Sequence, residues 1–184
     1  MAIAADLLVD VVVDVANSPS FEDQAAMDFF QTAGRNLTAA EVSTGVRHHL
    51  ALSVVGTERL QDSSYFRAKL AQERLIKSSP IPYTLIHATQ FYEFVRAIAQ
   101  FSTEGDTVRL PPVLFQPSGR GRGERGRRGG ACRAGERHKV IADPEAPYFG
   151  VKVSEKTLVP GAGARLGSTR FDWWLTHVPP PPSR

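Results

Sequence analysis

Apolar positions along the first hundred residues fall into blocks whose periodicity predicts alternating strands and helices. Leu7 to Val15 reads LLVDVVVDV. Its β-branched density predicts a strand. A helix would stack Asp6, Asp10 and Asp14 at i, i+4 spacing, where like charges repel. A near-continuous apolar run suits a parallel strand covered on both faces. Asn17-Ser18-Pro19-Ser20 breaks that strand, and Ser20 with Asp23 forms a capping pair for a helix from about Phe21 to Thr44. Phe30, Ala33, Leu37 and Ala40 recur at spacings of three and four, which predicts one buried stripe, and Gly45 is a suitable stop. His49 to Val55 predicts a second strand. Tyr65 to Lys77 predicts a second helix, ended by Pro80 and Pro82. Tyr83 to Ala88 is a third strand and Phe91 to Phe101 a third helix. Such alternation implies an α/β fold with a parallel sheet. No internal repeat is present.

The pattern stops at Pro117. Ser118 to Lys139 reads SGRGRGERGRRGGACRAGERHK, with seven glycines and no Val, Leu, Ile or aromatic residue. Nothing there offsets the entropy of ordering a backbone, so it is expected to be disordered. This segment holds eight of the 22 Lys and Arg residues and two of the 19 acids, a local charge of +6. The whole chain carries +3, so the remainder is about −3 and mildly acidic. Apolar and turn residues return at Pro147-Tyr148-Phe149-Gly150 and Leu158-Val159-Pro160-Gly161, with a short helix expected near Thr169 to His177. Pro179 to Pro182 is a stiff tail. Four segments follow: 1–117, 118–139, 140–178 and 179–184.

The chain has 184 residues, enough for one domain with a sizeable core. No run of eighteen apolar residues predicts a membrane span. Met1 to Val15 is apolar but lacks a basic flank and is interrupted by Asp6, Asp10 and Asp14, which argues against a secretory signal. The single cysteine, Cys132, excludes an internal disulfide, and a cytoplasmic location is the expectation.

Three residues carry candidate chemistry. Ser53 sits near the end of the second strand, and ligands of open parallel sheets bind at the carboxyl ends of strands. Tyr65 follows twelve residues later and Lys69 four after that, i, i+4 neighbours on one helix face. A nearby ammonium favours phenolate. At about 4 Å and an effective dielectric near 20 that is worth roughly 4 kcal/mol, an upper figure of about three pKa units. A Tyr-x-x-x-Lys pair alone is common on helices, and a strand-end serine commonly bonds backbone. The ordered set, strand-end Ser then Tyr then Lys on the next helix, is far more specific. The serine would hydrogen-bond a substrate carbonyl while the tyrosine delivers the proton.

These residues bring a family into view. Val9 to Pro117 resembles an atypical short-chain dehydrogenase/reductase of the NmrA-like NAD(P)-binding kind. The matching pieces are Asp10-Val-Val-Val-Asp14-Val-Ala-Asn17-Ser-Pro-Ser20, His48-His-Leu-Ala-Leu-Ser53-Val-Val-Gly56, Tyr65-Phe-Arg-Ala-Lys69-Leu-Ala-Gln-Glu73 and Pro82-Tyr-Thr-Leu-Ile-His-Ala-Thr-Gln-Phe-Tyr-Glu-Phe94. Val140 to Leu175 resembles the family's carboxyl-terminal part. The resemblance implies a partial Rossmann-like parallel sheet with flanking helices. It implies Ser53, Tyr65 and Lys69 as catalytic residues, with Lys69 also on the nicotinamide ribose. Asn17 would lie where the chain leaves a strand beside the cofactor. Thr89, Gln90 and Phe91 would border the nicotinamide and substrate; helix-start packing is an equal reading for Gln90 and Phe91.

Two departures qualify the resemblance. The family opens with a strand and a glycine-rich turn whose backbone N–H groups receive the pyrophosphate. Nothing before Leu7 can be that turn, and the glycines up to Pro117, namely Gly34, Gly45, Gly56 and Gly105, are isolated. The chain is therefore expected to lack the first strands and the glycine-rich loop. The Arg/Gly segment stands where the family has further strands and helices. It reads as an out-of-frame stretch, a charged linker or, less well because no Phe or Tyr interleaves it, a single-strand nucleic-acid binder.

The expected function is NAD(P)-dependent reduction of a small carbonyl or quinone, with NAD or NADP bound weakly. A non-enzymatic NmrA-like redox-sensing regulator and an inactive degenerate fragment are the alternatives. Self-association through the Leu7 to Val15 edge is expected.

Overall fold

A computed structural model describes residues 9–20, 22–117, 138–165 and 170–177. Most of the Arg/Gly segment, the proline tail and Leu7-Leu8 lie outside the described residues. The chain divides into two compact units, Met1–His87 and Ala88–Arg184. The division falls within the span 1–117. Among the described residues no helix is long and apolar enough to cross a membrane.

In the first unit the order is β1 (Val11–Asp14), α1 (Asp23–Thr44), β2 (His48–Val54), α2 (Ser64–Ser78) and β3 (Tyr83–Ala88). The strands form a sheet in the order β1-β2-β3. β1 pairs β2 in parallel, from Val11 opposite His48 to Asp14 opposite Ala51. This is the α/β arrangement of parallel strands and flanking helices that the residue pattern predicts.

Local chemistry explains the helix ends. Gly45 adopts the left-handed conformation at φ 74° and donates its N–H to the Glu41 carbonyl, closing α1. The Ser20–Asp23 capping pair is not formed. Glu22 is the N-cap and has no side-chain cap bond. The Ser20 hydroxyl instead accepts the Glu22 N–H at 3.1 Å, and Asp23 pairs with Arg67 of α2 at 2.7 Å.

The buried stripe of α1 also differs from expectation. Ala26, Phe30, Gly34 and Glu41 are buried, whereas Ala33 and Leu37 are half-buried and Ala40 is exposed. The stripe is turned by one residue, about 100° on a helix of 3.6 residues per turn. Two contacts account for the turn. Glu41 reaches His49 of β2, Oε1 to Nδ1 at 2.7 Å, in a buried pair. Gly34 lies against α2, where an added Cβ would stand 3.3 Å from Leu75 Cδ1.

Both helices lie on the same face of the sheet. Glu41 of α1 meets His49, and Glu73 of α2 meets Ser53 on the same side of β2; Gln72 meets Asp14 of β1. His49, Ala51 and Ser53 are buried accordingly. On the opposite face the β1 row is exposed, while Leu50 and Leu52 of β2 are half-buried. Val9, Val11, Val13 and Val15 are exposed, Val13 at 58%, and so is Ile86 of β3. The expectation that the first strand is covered on both faces therefore fails, because α1 and α2 cover only one.

The second unit comprises α3 (Tyr92–Phe101), β4 (Thr103–Glu104), β5 (Thr107–Leu110), β6 (Lys139–Ala142) and α4 (Phe171–His177). β4 and β5 are antiparallel across Gly105, at φ 58°, and β5 pairs β6 in parallel. Buried Tyr92 packs against Phe171 and Trp174, with ring centroids 5.0 and 5.4 Å away. The three short strands were not read from the sequence; TVRL and KVIA are too brief to show an alternation of their own.

Candidate active site

The candidate residues of the first unit gather at the carboxyl ends of β1 and β2. Asn17 follows β1 by three residues, after the N–H of Ala16 has turned back onto Asp14 Oδ1 at 2.9 Å. Ser53 is the penultimate residue of β2. Tyr65 and Lys69 occupy the first two turns of α2. The Tyr65 hydroxyl donates to Asn17 Oδ1 at 3.0 Å. The Lys69 ammonium donates to the carbonyl of Leu52, the residue before Ser53, at 2.9 Å.

Two buried networks hold these groups. In one, Lys69 Nζ donates to Gln72 Oε1 at 2.5 Å, and Gln72 Nε2 donates to Asp14 Oδ2 at 2.8 Å. The same ammonium lies 4.8 Å from the centre of the Phe30 ring, a cation–π contact. In the other, Glu73 is the centre. Its Oε1 accepts the Ser53 hydroxyl at 2.5 Å and bonds His87 Nε2 at 3.0 Å, while Oε2 accepts from Lys77 at 3.2 Å. Ser53 and Lys69 are each 2% exposed and Glu73 1%.

Sequence reading missed Asp14, Gln72, Glu73 and His87. Gln72 and Glu73 had a signal: they stand three and four residues after Lys69, within side-chain reach on one helix face. Asp14 had none, because an aspartate amid valines reads as a solvent guard.

Electrostatics departs from the expected phenolate. Burial pushes the Tyr65 hydroxyl up to about 12. The Lys69 ammonium is committed to Leu52, Gln72 and the Phe30 ring, and no lowering by its charge is resolved at the phenol. Burial also lowers Lys69, to about 8, against the opposing charges of Asp14 and Glu73. At Glu73 burial acts to raise the carboxyl, but hydrogen bonds from Ser53 and Lys77 and the charges of His87 and Lys77 outweigh it and hold the group below its ordinary value.

Thr89, Gln90 and Phe91 fall in the second unit. Gln90 is buried; its side chain hydrogen-bonds Tyr148, while its Oε1 has no partner within the described residues. Phe91 is the N-cap of α3, half-buried, with its carbonyl accepting the Phe94 N–H at 2.9 Å. Thr89 is half-buried and makes a polar contact of its own.

A nicotinamide dinucleotide requires polar groups at its nicotinamide–ribose end and a backbone cradle at its pyrophosphate. Asn17, Ser53, Tyr65 and Lys69 are residue types suited to the first. For the second, no glycine among the described residues opens a helix; Gly150, Gly161 and Gly163 of the second unit lie in loops and turns. Gly34 is inside α1, Gly45 ends it, Gly56 lies in the turn after β2 and Gly105 in the β4–β5 turn; none opens a helix.

No family model matches the chain, and no curated protein matches it. Among solved structures it is similar to the triphenylmethane reductase of Citrobacter sp. complexed with NADP(H), at 20% identity over 61% of this chain and 38% of that one, with a TM-score of 0.43. It is also similar to an NADPH-dependent quinone oxidoreductase of Escherichia coli, at 17% identity over 52% of this chain and 39% of that one, with a TM-score of 0.38. The chain thus spans about two fifths of the length of each.

Proposed function

We propose that this chain is an NAD(P)-dependent oxidoreductase-like protein in which Tyr65 protonates the carbonyl or quinone oxygen of a small substrate. The observation that carries the reading is the gathering of Asn17, Ser53, Tyr65 and Lys69 at the carboxyl ends of two parallel strands. That is where open parallel sheets hold ligands. A nicotinamide cofactor supplies the hydride in such a reaction. Tyr65 carries the proton that the reduced oxygen would take; burial holds it protonated up to about pH 12, which makes it a weaker acid than a free phenol, so the reaction needs the bound substrate and cofactor to lower that value. Asn17 orients the hydroxyl until substrate oxygen replaces it as acceptor. Lys69 acts as a positioning residue, since its ammonium fixes the Leu52 carbonyl and with it the backbone that carries Ser53.

A second reading has its own support. The Ser53 hydroxyl is given to Glu73, and the Lys69 ammonium is satisfied inside the fold. Both features suit a non-enzymatic, ligand-sensing protein that binds without turnover.

Steady-state reduction of a panel of quinones and carbonyls with NADH and NADPH separates the two. Tyr65→Phe is expected to lower turnover about a hundredfold or more with cofactor affinity nearly unchanged. Turnover equal to that of the wild type would overturn the role of Tyr65, and its absence with every substrate would favour the sensor.

A further inference from the structure

The outer surface of the first unit carries a groove between α1 and α2 of about 450 Å³, lined by Gln31, Arg35, Ala71, Arg74, Leu75 and Ser78. It is on the helix surface, apart from the strand ends where Tyr65 and Ser53 sit. The lining follows from helical spacing. Gln31 and Arg35 are i, i+4 on α1, while Ala71, Arg74, Leu75 and Ser78 stand at i, i+3, i+4 and i+7 on α2. Gly34 lets the helices approach at this point.

The polar atoms of the groove are almost all donors. Each guanidinium presents five N–H groups and no acceptor. Arg35 makes one long bond, 3.4 Å to Gln31 Oε1, which occupies that acceptor and leaves the Gln31 amide N–H groups free. Arg74 has no hydrogen bond or ion pair among the described residues. The Ser78 hydroxyl bonds the Leu75 carbonyl within its own helix.

No carboxylate of either helix neutralises these charges. Asp23 pairs with Arg67, Asp28 accepts from Gln24, Glu41 is buried on His49, and Glu73 is buried among Ser53, His87 and Lys77. Arg35 and Arg74 are exposed and line the same cleft, so an oxyanion there meets two guanidinium groups that no carboxylate of either helix engages. Ala71 and Leu75 leave an apolar strip beside it.

We propose that this groove is a binding site for the phosphate group of a small phosphomonoester, with Arg35 and Arg74 as its two clamps and the Ala71–Leu75 strip under the ester's organic part. Guanidinium is the side chain suited to paired hydrogen bonds with phosphate oxygens.

The full chain, labelled with nitrogen-15, would be titrated with inorganic phosphate, phenyl phosphate and malonate while amide and arginine side-chain signals are followed. Saturable shifts are expected at Gln31, Arg35, Arg74 and Ser78, with phenyl phosphate binding tighter than inorganic phosphate. The double variant Arg35→Gln/Arg74→Gln, with an unchanged circular dichroism melt, should lose about tenfold or more in affinity. Absence of saturable shifts at those residues, or equal affinity in the double variant, would overturn the site. Malonate binding as tightly as phenyl phosphate would overturn the phosphate assignment. Binding to phosphatidate vesicles without binding to phenyl phosphate would replace the small molecule with a lipid surface.

Discussion

Tyr65 and Asn17 are 48 positions apart in the chain, yet the tyrosine hydroxyl donates to Asn17 Oδ1 at 3.0 Å. The bond ties the start of α2 to the segment leaving β1. Burial, rather than this bond, holds the phenol neutral and pushes it up to about 12. Ultraviolet titration of phenolate formation is therefore expected to show two tyrosines with midpoints near 12, one of which is lost in Tyr65→Phe. Tyr148, also raised to about 12 by burial, should persist in that variant. A Tyr65 component titrating below 10 would mean that a cation reaches the phenol.

Lys69 and Tyr65 bear on stability with opposite signs. Lys69 is lowered from 10.5 to about 8, so its ammonium is costlier in the folded state. Stability from this group is complete above the unfolded value, near 10.5, and is lost as pH falls through the folded value near 8. Tyr65 is raised, so its contribution is complete below 10 and is lost as pH rises toward 12. Denaturant melts are expected to show stability rising from pH 8 to 10 and falling beyond. Lys69→Met should remove the rise. A shift of about 2.5 units at about 1.4 kcal/mol each bounds the Lys69 effect at roughly 3–4 kcal/mol. A wild-type profile that is flat from pH 8 to 10 would contradict the burial of a titrating ammonium.

Glu73 is the joint of the second network, and removing it strands several partners. Glu73→Ala leaves the buried Ser53 hydroxyl without its acceptor and Lys77 and His87 without their carboxylate. Loss of one partner of a buried charged network costs about 3–5 kcal/mol, and the partial exposure of Lys77 and His87 puts this case at the lower end. Because the folded carboxyl lies below its ordinary value, its contribution is present above the unfolded value and lost as pH falls through the folded one. Glu73→Gln should recover part of the loss at neutral pH, since its amide oxygen still accepts from Ser53, and should flatten the acid limb. Chemical melts at neutral and acid pH check both. A Glu73→Ala protein as stable as the wild type would show that the network carries no net stability.

What the sequence disclosed depends on whether the information was local. Gly45 as a helix end and the span Tyr83 to Ala88 follow from short-range rules, and the structure has both. The approach of Ser53, Tyr65 and Lys69 to a strand end follows from the order of elements, whereas the place of Asn17 came only with the family resemblance. The direction of each polar head followed from neither. Lys69 is drawn away by the Leu52 carbonyl, by Gln72 and by Phe30, and Ser53 is taken by Glu73; these are contacts made only after the helices dock. The misplaced stripe of α1 has the same origin, since Glu41 is inside only because His49 meets it there.

The open face of β1 yields the last prediction. β1 stands at the end of the strand order, and Val9, Val11, Val13 and Val15 form one exposed apolar row beside it. An edge strand presents unpaired N–H and C=O groups, and an apolar one templates pairing with another chain. The two aspartates of this strand give little protection. Asp14 is buried under α2 on Gln72, and Asp10 is engaged with Arg47 at 2.9 Å. Self-association of the wild-type chain is therefore expected. Val11→Lys with Val13→Lys should raise the soluble monomer fraction, because a lysine at each position puts charge on the open row. The cost in stability should be small, about 1 kcal/mol or less per site, since Val11 and Val13 are already 49% and 58% exposed and bury little that is lost. Size-exclusion chromatography with light scattering measures the first effect and denaturant melts the second. A wild-type protein that stays monomeric at high concentration would mean that the row of valines is covered. A double-lysine variant that unfolds would mean that its cover is part of the native core.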